Sequence, residues 1–402
     1  GKEMSTVAVM NGNYAAATAA RLARPEVIAA YPITPQTPVV EYLTLFAAEG
    51  SLSSRMTEVE SEHSAMSILS GASLAGARCY TATSSQGLAL MYEPYFRAST
   101  LRLPIVMNIV NREMISPQSV WGGPQDSLTL RDAGWIQIYV EDNQEILDQT
   151  IQAFRIAEDP RVLLPINVCY DGFYLSHMTE RVEVPEQAEI DAFLPPYEAK
   201  HQILDPRKPM AIDPLTSGYL VMEYRKKHMD SMAAALGVVE ETDKAYAALT
   251  GRSWGGALDL YRMEDAEYAV VTLGSVTGAC REMVDEKRAA GVRIGLVKVR
   301  CLRPFPKAAV AAALARVKGF GVIDRNVSFG WNTGIVYQEV RSALYESGRT
   351  LPSVPFVGGL GGEDITLGLV SKAFDEIVAA VDAGRTPQSA VWLWAPRKGV
   401  KA

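Results

Sequence analysis

A proline-rich segment near the start of the chain places a hydroxyl group where an anion could bind. Residues Tyr31 to Pro38 read YPITPQTP and follow a short apolar run. A residue before proline is pushed out of the α region, whereas proline suits the first helical position. We therefore expect Thr34 to cap a helix beginning at Pro35, at the end of a parallel strand and beside unpaired N–H groups that attract anions. A purely structural cap is the simpler reading of these residues alone.

Three glutamates form the second candidate for chemistry. Glu58, Glu60 and Glu62 alternate ahead of a segment rich in glycine, alanine and serine. Small side chains let a cofactor or another helix approach the backbone closely. Glutamates near a helix start usually just complement the helix dipole, and this explanation covers at least two of the three. One of them is left for a further role.

The cysteines and histidines do not predict a metal site. The four cysteines are widely scattered without a C-x-x-C pair, so no iron–sulfur or zinc site is expected within this chain. We interpret Cys79, Cys169, Cys280 and Cys301 as buried, unreactive thiols. The histidines lack ligand spacing too, and we expect structural or solvated roles for His63, His177, His201 and His228.

Composition excludes several classes of protein. Hydrophobic residues make up 48% and charged residues 21% of the 402 positions, which is typical of a globular protein. A net charge of −7 argues against a large basic face for nucleic acid or anionic lipid. The sequence has no run of eighteen apolar residues and no charged-then-apolar start, so we expect neither membrane insertion nor export and predict a cytoplasmic protein.

The chain length and the hydrophobic pattern predict an α/β protein with two domains, since single cores seldom exceed about 250 to 300 residues. Helical and apolar segments alternate in the first part, and the runs from Ile105 and from Leu163 suit strands covered on both faces. Six of the 22 prolines lie between Pro185 and Pro214, which predicts a long irregular connection. A helical pattern follows from Tyr219.

The second part repeats the alternation of strand and helix from Tyr268 onward, as expected for β-α-β units. Both domains are therefore predicted to be helix-covered, mostly parallel sheets. We place them at 1–254, with the connecting segment at about 185–214, and at 255–402. The turn LGSVTG from Leu273 to Gly278 matches neither G-x-G-x-x-G nor a P-loop, so we interpret it as structural.

Several motifs together resemble one enzyme family. YPITP, ESEHSA, TSSQGLALM, VNREMISP, QDSLTLRDAGWIQIYVEDNQE and RPFP occur in this order between about Gly12 and Ile365. The chain thus resembles the α subunit of 2-oxoacid:ferredoxin oxidoreductases, of which pyruvate:ferredoxin oxidoreductase, or pyruvate synthase, is a member. The resemblance implies a pyrimidine-binding domain for thiamine diphosphate followed by a domain of the transketolase C-terminal type. It also implies oxidative decarboxylation of a 2-oxoacid with coenzyme A, with electrons passed to ferredoxin or a similar acceptor.

The resemblance also implies roles for four residues. The glutamate of the S-E motif, Glu62 here, accepts a hydrogen bond from the cofactor's pyrimidine and favours the tautomer that removes the thiazolium proton. The threonine of YPITP and the arginine of NRE, Thr34 and Arg112 here, bind the substrate carboxylate. A guanidinium can hold a carboxylate by two parallel hydrogen bonds. Tyr31 is expected to line the substrate site beside Thr34 and Arg112.

Partner subunits follow from the same resemblance. Thiamine enzymes hold the diphosphate through Mg²⁺ with a Gly-Asp-Gly segment, and this sequence contains none. A β subunit is therefore expected to supply the diphosphate and Mg²⁺ site. Iron–sulfur clusters are expected on partner subunits only, and a γ-type and a ferredoxin-like subunit should complete a hetero-oligomer.

The sequence departs from the pyruvate-type pattern at two places. Residues Trp121 to Asp126 read WGGPQD where pyruvate-type members carry an Asp-His pair, which could admit a branched or aryl 2-oxoacid such as 2-oxoisovalerate or phenylglyoxylate. A loop shift that leaves the pocket unchanged explains this equally well. Gly12-Asn13-Tyr14 also replaces Gly-Asn-Glu. Two other functions stay open: a non-catalytic scaffold subunit and a thiamine enzyme with non-redox chemistry such as carboligation.

Overall fold

The computed structural model describes residues 5–201, 203–395 and 397 and divides into two compact units. The first unit contains the described residues up to Ala257 together with Cys301–Pro304. The second contains Leu258–Arg300 and the described residues from Phe305 onward. The chain thus first passes from one unit to the other after Ala257. The predicted domains, 1–254 for pyrimidine binding and 255–402 of the transketolase C-terminal type, remain predictions.

The first unit alternates strands and helices along most of its length. Its elements up to Thr250 are β1 (Thr6–Asn11), α1 (Gly12–Ala23), β2 (Val27–Ala30), α2 (Thr37–Ala48), β3 (Arg55–Glu58), α3 (Glu62–Leu74), β4 (Cys79–Thr83), α4 (Ser85–Leu90), α5 (Tyr92–Thr100), β5 (Val106–Asn111), α6 (Gln125–Leu128), β6 (Ile136–Tyr139), α7 (Asn143–Glu158), β7 (Ile166–Asp171), β8 (Thr179–Val184), α8 (Gln187–Phe193) and α9 (Gly218–Thr250).

The remaining chain repeats the alternation of strands and helices. Its elements are β9 (Leu258–Tyr261), β10 (Tyr268–Leu273), α10 (Val276–Ala289), β11 (Ile294–Val299), β12 (Cys301–Arg303), α11 (Lys307–Ala313), β13 (Gly319–Asp324), α12 (Ile335–Glu346), β14 (Ser353–Gly358), a 3₁₀ turn (Leu360–Gly362), α13 (Leu367–Asp382) and β15 (Val391–Leu393).

A seven-stranded sheet forms the centre of the first unit, in the order β12-β6-β7-β5-β4-β2-β3. All neighbouring strands are parallel except β12 and β6. Every residue of β4, β5 and β7 is buried, and in β5 and β7 this explains why apolar residues predominate instead of alternating regularly with polar ones. The carboxyl ends of β7, β5, β4, β2 and β3 consequently lie side by side at one edge.

Helix α7 is almost wholly buried in the first unit and carries a charged group into the core. The carboxylate of Asp148 is fully buried and accepts hydrogen bonds from Arg252 (2.8 and 2.9 Å), the Tyr246 hydroxyl (2.6 Å) and the Trp254 indole (3.0 Å). A buried carboxylate is tolerated only when it is paired and hydrogen-bonded in this way. The cluster fastens the end of α9 to α7.

The second unit is built on a six-stranded sheet in the order β15-β14-β13-β10-β11-β9, in which only β9 is antiparallel to its neighbour. Buried Asp324, at the end of β13, accepts hydrogen bonds from the N–H groups of Val336 and Tyr337 at the start of α12, both at 3.1 Å. Both sheets are helix-covered and mostly parallel, so the predicted fold class is confirmed.

The structure differs from the predicted elements in three places. The connection from 185 to 214 is not wholly irregular, because α8 lies within it and begins with a capping box formed by Glu186 and Glu189. Strands β1 and β8 pair in a small antiparallel sheet that the pattern did not indicate. Strand β12 was also missed, because a three-residue strand has no recognisable period. Among the described residues, no helix is long and apolar enough to cross a membrane.

Candidate active site at the strand ends

The segments that follow five neighbouring parallel strands meet at one edge of the first sheet. Open α/β sheets bind ligands at the carboxyl ends of their strands, so this edge is the place to look for a site. The sequence-predicted residues all belong to segments that follow these strands: Tyr31 and Thr34 follow β2, Glu62 follows β3, and Arg112 follows β5.

Glu62 is the one buried glutamate of the three that precede α3. It is 5% exposed, whereas Glu58 and Glu60 are exposed. Ser61 supplies the helix cap, because its hydroxyl accepts from the Ser64 N–H at 3.3 Å, so Glu62 is not needed for capping. Within the described part of the chain, the Glu62 carboxylate makes no ion pair and no hydrogen bond to another side chain. Burial raises its pKa.

Gly87 gives the Glu62 carboxylate its space. A Cβ atom at position 87 would lie 2.4 Å from Glu62 Oε1 and 2.6 Å from Thr83 Oγ1, so only glycine fits between them. Thr83 Oγ1 and Gln86 Oε1 are buried and have no hydrogen-bond partner in the structure. A buried polar atom without a partner is costly and calls for an explanation. The TSSQG segment, Thr83 to Gly87, thus places polar atoms that a hydrogen-bonding ligand could satisfy next to the buried Glu62 carboxylate.

Arg112 lies at the end of the buried strand β5 and is 6% exposed, as the apolar run leading into it predicts. Its Nε donates to the Ser119 carbonyl (2.9 Å) and its Nη1 to the Thr34 carbonyl (3.1 Å). Nη2 makes no hydrogen bond within the residues that the structure describes, which leaves the Nη1–Nη2 edge for an anion. Burial lowers the pKa of Arg112, and nearby Asp126 opposes that effect.

The prediction that Thr34 caps a helix beginning at Pro35 is wrong. Helix α2 begins at Thr37, and Thr34 lies in a turn whose Thr34–Pro35 peptide is cis. The Gln36 N–H closes this turn on the Ile33 carbonyl at 2.7 Å, as in a type VI turn. Thr34 still lies beside Arg112, but it contributes its backbone carbonyl to that contact and leaves its side chain exposed.

Two buried amides that the sequence reading missed hold this turn. Gln36 accepts from the Ile33 N–H (3.0 Å) and donates to the Ala82 carbonyl (2.7 Å), while Asn13 donates to the Pro35 carbonyl (2.8 Å). Both side chains are fully buried. The only sequence signal for Gln36 was a lone amide between two prolines. These bonds tie the proline-rich turn to β4 and α1.

The rim of this edge is open on one side. Tyr31 is 39% exposed, and Leu90 and Tyr92, on the helices next to Gly87, are 53% and 49% exposed. Exposed apolar side chains around a polar centre are typical of a surface that another protein covers. The chain therefore presents an uncovered face here rather than a closed pocket. A groove of about 410 Å³ in the second unit is lined by residues that include Trp331 and Tyr345.

The loop that follows Arg112 ends at an aromatic residue that packs against a second aromatic residue after β7. The Glu113 N–H donates to the Trp121 carbonyl (2.9 Å), which folds the loop from 113 to 121 back onto the strand end. The Trp121 and Phe173 rings are 4.8 Å apart, and Phe173 stacks on His177 at 4.7 Å. A Cβ at Gly122 would lie 2.6 Å from the Gly172 carbonyl, so the WGG sequence lets the loop pack closely against the end of β7.

All four cysteines are buried and unpaired with one another, as interpreted from the sequence. Burial raises the pKa of Cys79 to about 12 and also raises that of Cys169, so both thiols are protonated and unreactive near neutral pH. Over residues 5–201, 203–395 and 397, no group of three or more His, Cys, Asp or Glu side chains could hold a metal ion.

Two family models match the chain. Residues 18–244 match the thiamine-diphosphate-binding model described as pyruvate flavodoxin/ferredoxin oxidoreductase. Residues 266–370 match the model described as pyruvate:ferredoxin oxidoreductase core domain II.

Similar sequences cover nearly the whole chain. It is 49% identical to the α subunit of NADH-dependent phenylglyoxylate dehydrogenase of Aromatoleum evansii, over 96% of this chain and 94% of that protein. It is 42% identical to the pyruvate synthase subunit PorA of Methanosarcina barkeri, over 95% of each. Identity to the ketoisovalerate oxidoreductase subunit VorA of Pyrococcus horikoshii is 40%, over 96% of this chain and 97% of that one.

Solved structures with little sequence identity share the fold. A 2-oxoglutarate:ferredoxin oxidoreductase from Magnetococcus marinus superposes with a TM-score of 0.74 at 22% identity, covering 93% of this chain and 66% of that one. A split-gene transketolase superposes with a TM-score of 0.54 at 11% identity, covering 92% and 97%.

Proposed function

The chain belongs to the α subunits of the 2-oxoacid:ferredoxin oxidoreductase family, and we propose that Glu62 and Arg112 are the groups with which it takes part in the family's reaction. The resemblance predicted from its motifs is confirmed by the family models and relatives. It is an enzyme subunit for oxidative decarboxylation of a 2-oxoacid with coenzyme A. The observation that carries the assignment of Glu62 is its burial against a glycine, with no ion pair and no hydrogen bond to another side chain among the described residues.

The residues around Glu62 fit the aminopyrimidine of thiamine diphosphate. A buried carboxylate can accept a hydrogen bond from a ring nitrogen, and the absent Cβ of Gly87 together with unpartnered Thr83 Oγ1 leaves space and hydrogen-bonding capacity beside it. When bound, thiamine diphosphate supplies the nucleophilic carbon and the electron sink for decarboxylation. Glu62 shares a proton with the pyrimidine nitrogen in this proposal. Because burial raises its pKa, its proton affinity is closer to that of the ring than a solvated glutamate's would be.

Arg112 binds the carboxylate of the 2-oxoacid in this proposal. Its Nε and Nη1 bonds to the Ser119 and Thr34 carbonyls fix the plane of the guanidinium and leave the Nη1–Nη2 edge to the substrate. A planar fork of this kind holds a carboxylate by two parallel hydrogen bonds and so fixes its orientation. The Thr34 hydroxyl and Tyr31 complete the rim of the substrate site. Thr34 thus serves the site as part of a rigid turn rather than as a helix cap.

A partner subunit supplies the rest of the site. The exposed Tyr31, Leu90 and Tyr92 support a protein contact at this edge. We assign the diphosphate and Mg²⁺ site to a β subunit that covers it, and the iron–sulfur clusters to partner subunits, from which electrons pass to ferredoxin or a similar acceptor. A γ-type and a ferredoxin-like subunit complete the complex. We expect the assembly in the cytoplasm.

The aromatic pair at the end of the loop that follows Arg112 favours a 2-oxoacid larger than pyruvate. The Ser119 carbonyl of this loop accepts from Arg112, Trp121 at its end packs its ring on Phe173, and aromatic side chains prefer to pack against other rings. A relative 49% identical to this chain is named for phenylglyoxylate. We therefore propose an aryl 2-oxoacid as substrate. On the purified complex, kcat/KM for phenylglyoxylate should exceed that for pyruvate and 2-oxoisovalerate, and pyruvate as the best substrate would refute this choice.

The test of the function itself is Glu62→Gln in the assembled complex. Loss of a catalytic acid–base group costs about 10²- to 10⁴-fold in rate, so 2-oxoacid- and coenzyme A-dependent reduction of a viologen dye should fall by at least about 100-fold. Glu58→Gln is the matched control, since Glu58 is exposed and lies four positions earlier. Full activity of the Glu62→Gln complex would favour a scaffold role for this chain. Conversion of the 2-oxoacid to a product without reduction of the dye would favour non-redox carboligation.

A further inference from the structure

The carboxylate of Asp126 lies behind the proposed site and joins two strand ends. Asp126 is 1% exposed, and its two oxygens accept four hydrogen bonds. Oδ1 accepts from the Asn111 amide and from the Ser127 N–H, both at 2.8 Å. Oδ2 accepts from the N–H groups of Ser85 (3.0 Å) and Arg112 (3.1 Å). One buried oxygen thus fixes the backbone at the ends of both β4 and β5.

Each of the two backbone segments leads to a proposed functional group. The Arg112 N–H belongs to the residue whose guanidinium faces the substrate carboxylate. Ser85 begins the turn that carries Gly87, against which the Glu62 carboxylate lies. Ser85 has a φ of 42°, a left-handed conformation that is strained for a non-glycine residue and needs support from its surroundings. The Ser85 hydroxyl donates to the Glu113 carbonyl at 3.0 Å, which adds a second link between the same segments.

A purely structural carboxylate looks different in the same protein. Asp324 is also buried and also accepts two backbone N–H groups and an asparagine amide. Both of its backbone donors belong to the start of a single helix, α12, so Asp324 caps that helix. The donors to Asp126 include two different strand ends, and α6, to which Asp126 belongs, has only four residues. Helix capping therefore does not explain the arrangement around Asp126.

We infer that Asp126 is a positioning residue, whose carboxylate sets the placement of the Arg112 substrate anchor relative to the turn that supports Glu62. This inference rests on the proposed function, because it takes Arg112 and Glu62 as the groups that bind substrate and cofactor. Orientation of a substrate carboxylate and a reacting centre by a rigid frame is worth a large factor in rate. Asp126 would supply that frame without touching the substrate.

Charge in the surroundings of Asp126 agrees with this role. Burial raises its pKa to about 7, although all four donors favour the ionised form. The charged group facing it is Arg112, and the other titratable neighbours are Tyr139 of β6 and Cys169 of β7, whose own pKa values are raised by burial. The carboxylate is therefore held in place by hydrogen bonds, with one cation nearby.

The test is Asp126→Asn in the assembled complex, with Asp324→Asn as the matched control. An asparagine keeps the shape but points an N–H group at a backbone donor. We expect the KM for the preferred 2-oxoacid to rise about tenfold, the factor that corresponds to one charge-assisted hydrogen bond. The KM for coenzyme A should stay unchanged. Asp324→Asn should leave both KM values unchanged, even if it lowers Tm by as much as Asp126→Asn does. A structural defect alone reduces the amount of active enzyme and hence the apparent kcat, without moving one KM.

A second variant tests the positioning role of Asp126 if the complex that carries Asp126→Asn does not assemble. Asn111→Ala removes one of the four donors to Asp126 and leaves the backbone bonds in place, so it should raise the same KM by a few-fold. An unchanged KM for the 2-oxoacid in whichever variant assembles overturns the inference while leaving the proposed function intact. A wild-type complex that oxidises no 2-oxoacid refutes the proposed function, and the inference falls with it.

Discussion

Gly87→Ala is a small change that separates the position of the Glu62 carboxylate from the stability of the fold. The new Cβ would lie 2.4 Å from Glu62 Oε1 and 2.6 Å from Thr83 Oγ1. Ordinary contacts of a Cβ begin at 3.4 Å, so these atoms must yield by about 1 Å. Thr83 is β-branched, fully buried and part of β4, which makes it stiff. Glu62 Oε1 is the end of a flexible side chain and should move first.

The size of the effect follows from that displacement. Misplacing a catalytic group by about 1 Å can cost about 100-fold in rate, which corresponds to about 2.7 kcal/mol of lost transition-state stabilisation. The fold should suffer less, because a side-chain end can swing aside at little cost; we expect a loss at the lower end of the roughly 1–3 kcal/mol typical of overpacking. Turnover should therefore fall far more than thermal stability.

The assay is 2-oxoacid-dependent dye reduction by the assembled complex, with Tm and bound thiamine diphosphate measured on the same preparation. Gly71→Ala is the control. Gly71 lies in α3, the helix that Glu62 begins, and a Cβ there would meet nothing within 4 Å. Alanine in an exposed helix interior is favoured over glycine by up to about 1 kcal/mol. The control should keep full turnover and equal or exceed the wild-type Tm.

Wild-type turnover in a correctly assembled Gly87→Ala complex would contradict the reasoning. Since the added methyl group and Glu62 Oε1 cannot occupy their present positions together, that result would mean that the position of the Glu62 carboxylate is irrelevant to the reaction. A parallel loss of turnover and Tm would instead point to general misfolding. Only a selective loss of turnover agrees with the proposed role.

Three further changes test other parts of the structure. Arg112→Lys replaces a planar fork by a point charge, so the KM for the 2-oxoacid should rise by about tenfold or more while that for coenzyme A stays constant; equal KM values would exclude a bidentate contact. Asp148→Ala removes the buried carboxylate that pairs with Arg252 and leaves this guanidinium only the partly exposed Glu183 carboxylate at 3.3 Å. Breaking a buried pair costs about 3–5 kcal/mol, and the remaining Glu183 contact should keep the loss near the lower end of that range, so differential scanning calorimetry should show a lower Tm; an unchanged Tm would show that the cluster does not hold α9 to α7. Burial raises the folded-state pKa of Asp126 from its usual 3.8 to about 7, so its contribution to stability is fully present below about pH 3.8 and lost as the pH rises toward 7; the Tm of the wild type relative to Asp126→Asn should fall across that window, and a constant difference would contradict the raised pKa.

The sheets could be predicted from the sequence because buried parallel strands have a recognisable composition. The sequences of β5, β7 and β10 are predominantly apolar, and the helices between strands carry ordinary amphipathic or small-residue patterns. Pairing partners could not be predicted in the same way. Whether three residues such as Cys301–Arg303 form a strand depends on a free edge elsewhere in the fold, and local sequence holds no information on that edge.

One predicted conformation at the candidate site was wrong, and the roles of its residues stay predictions. The motifs indicated Glu62 and Arg112, and the structure places them after β3 and β5, at the same edge of the first sheet. The turn at Thr34 was mispredicted because local rules for proline permit either a helix start or a turn. Long-range hydrogen bonds from Gln36 to β4 and from Asn13 to Pro35 decide between them. Asp126 was read only as part of a motif, since its four donors come together solely in the folded chain.

Strand β12 has a consequence for how this polypeptide could be divided. The first unit takes its outermost strand from Cys301–Arg303, which pairs with Gln137 and Ile138 of the buried strand β6. A fragment that ends at position 257 would leave the outer edge of β6 without its paired strand. Unpaired strand edges promote self-association. A workable two-piece version would need residues 301–304 grafted back onto the leading fragment.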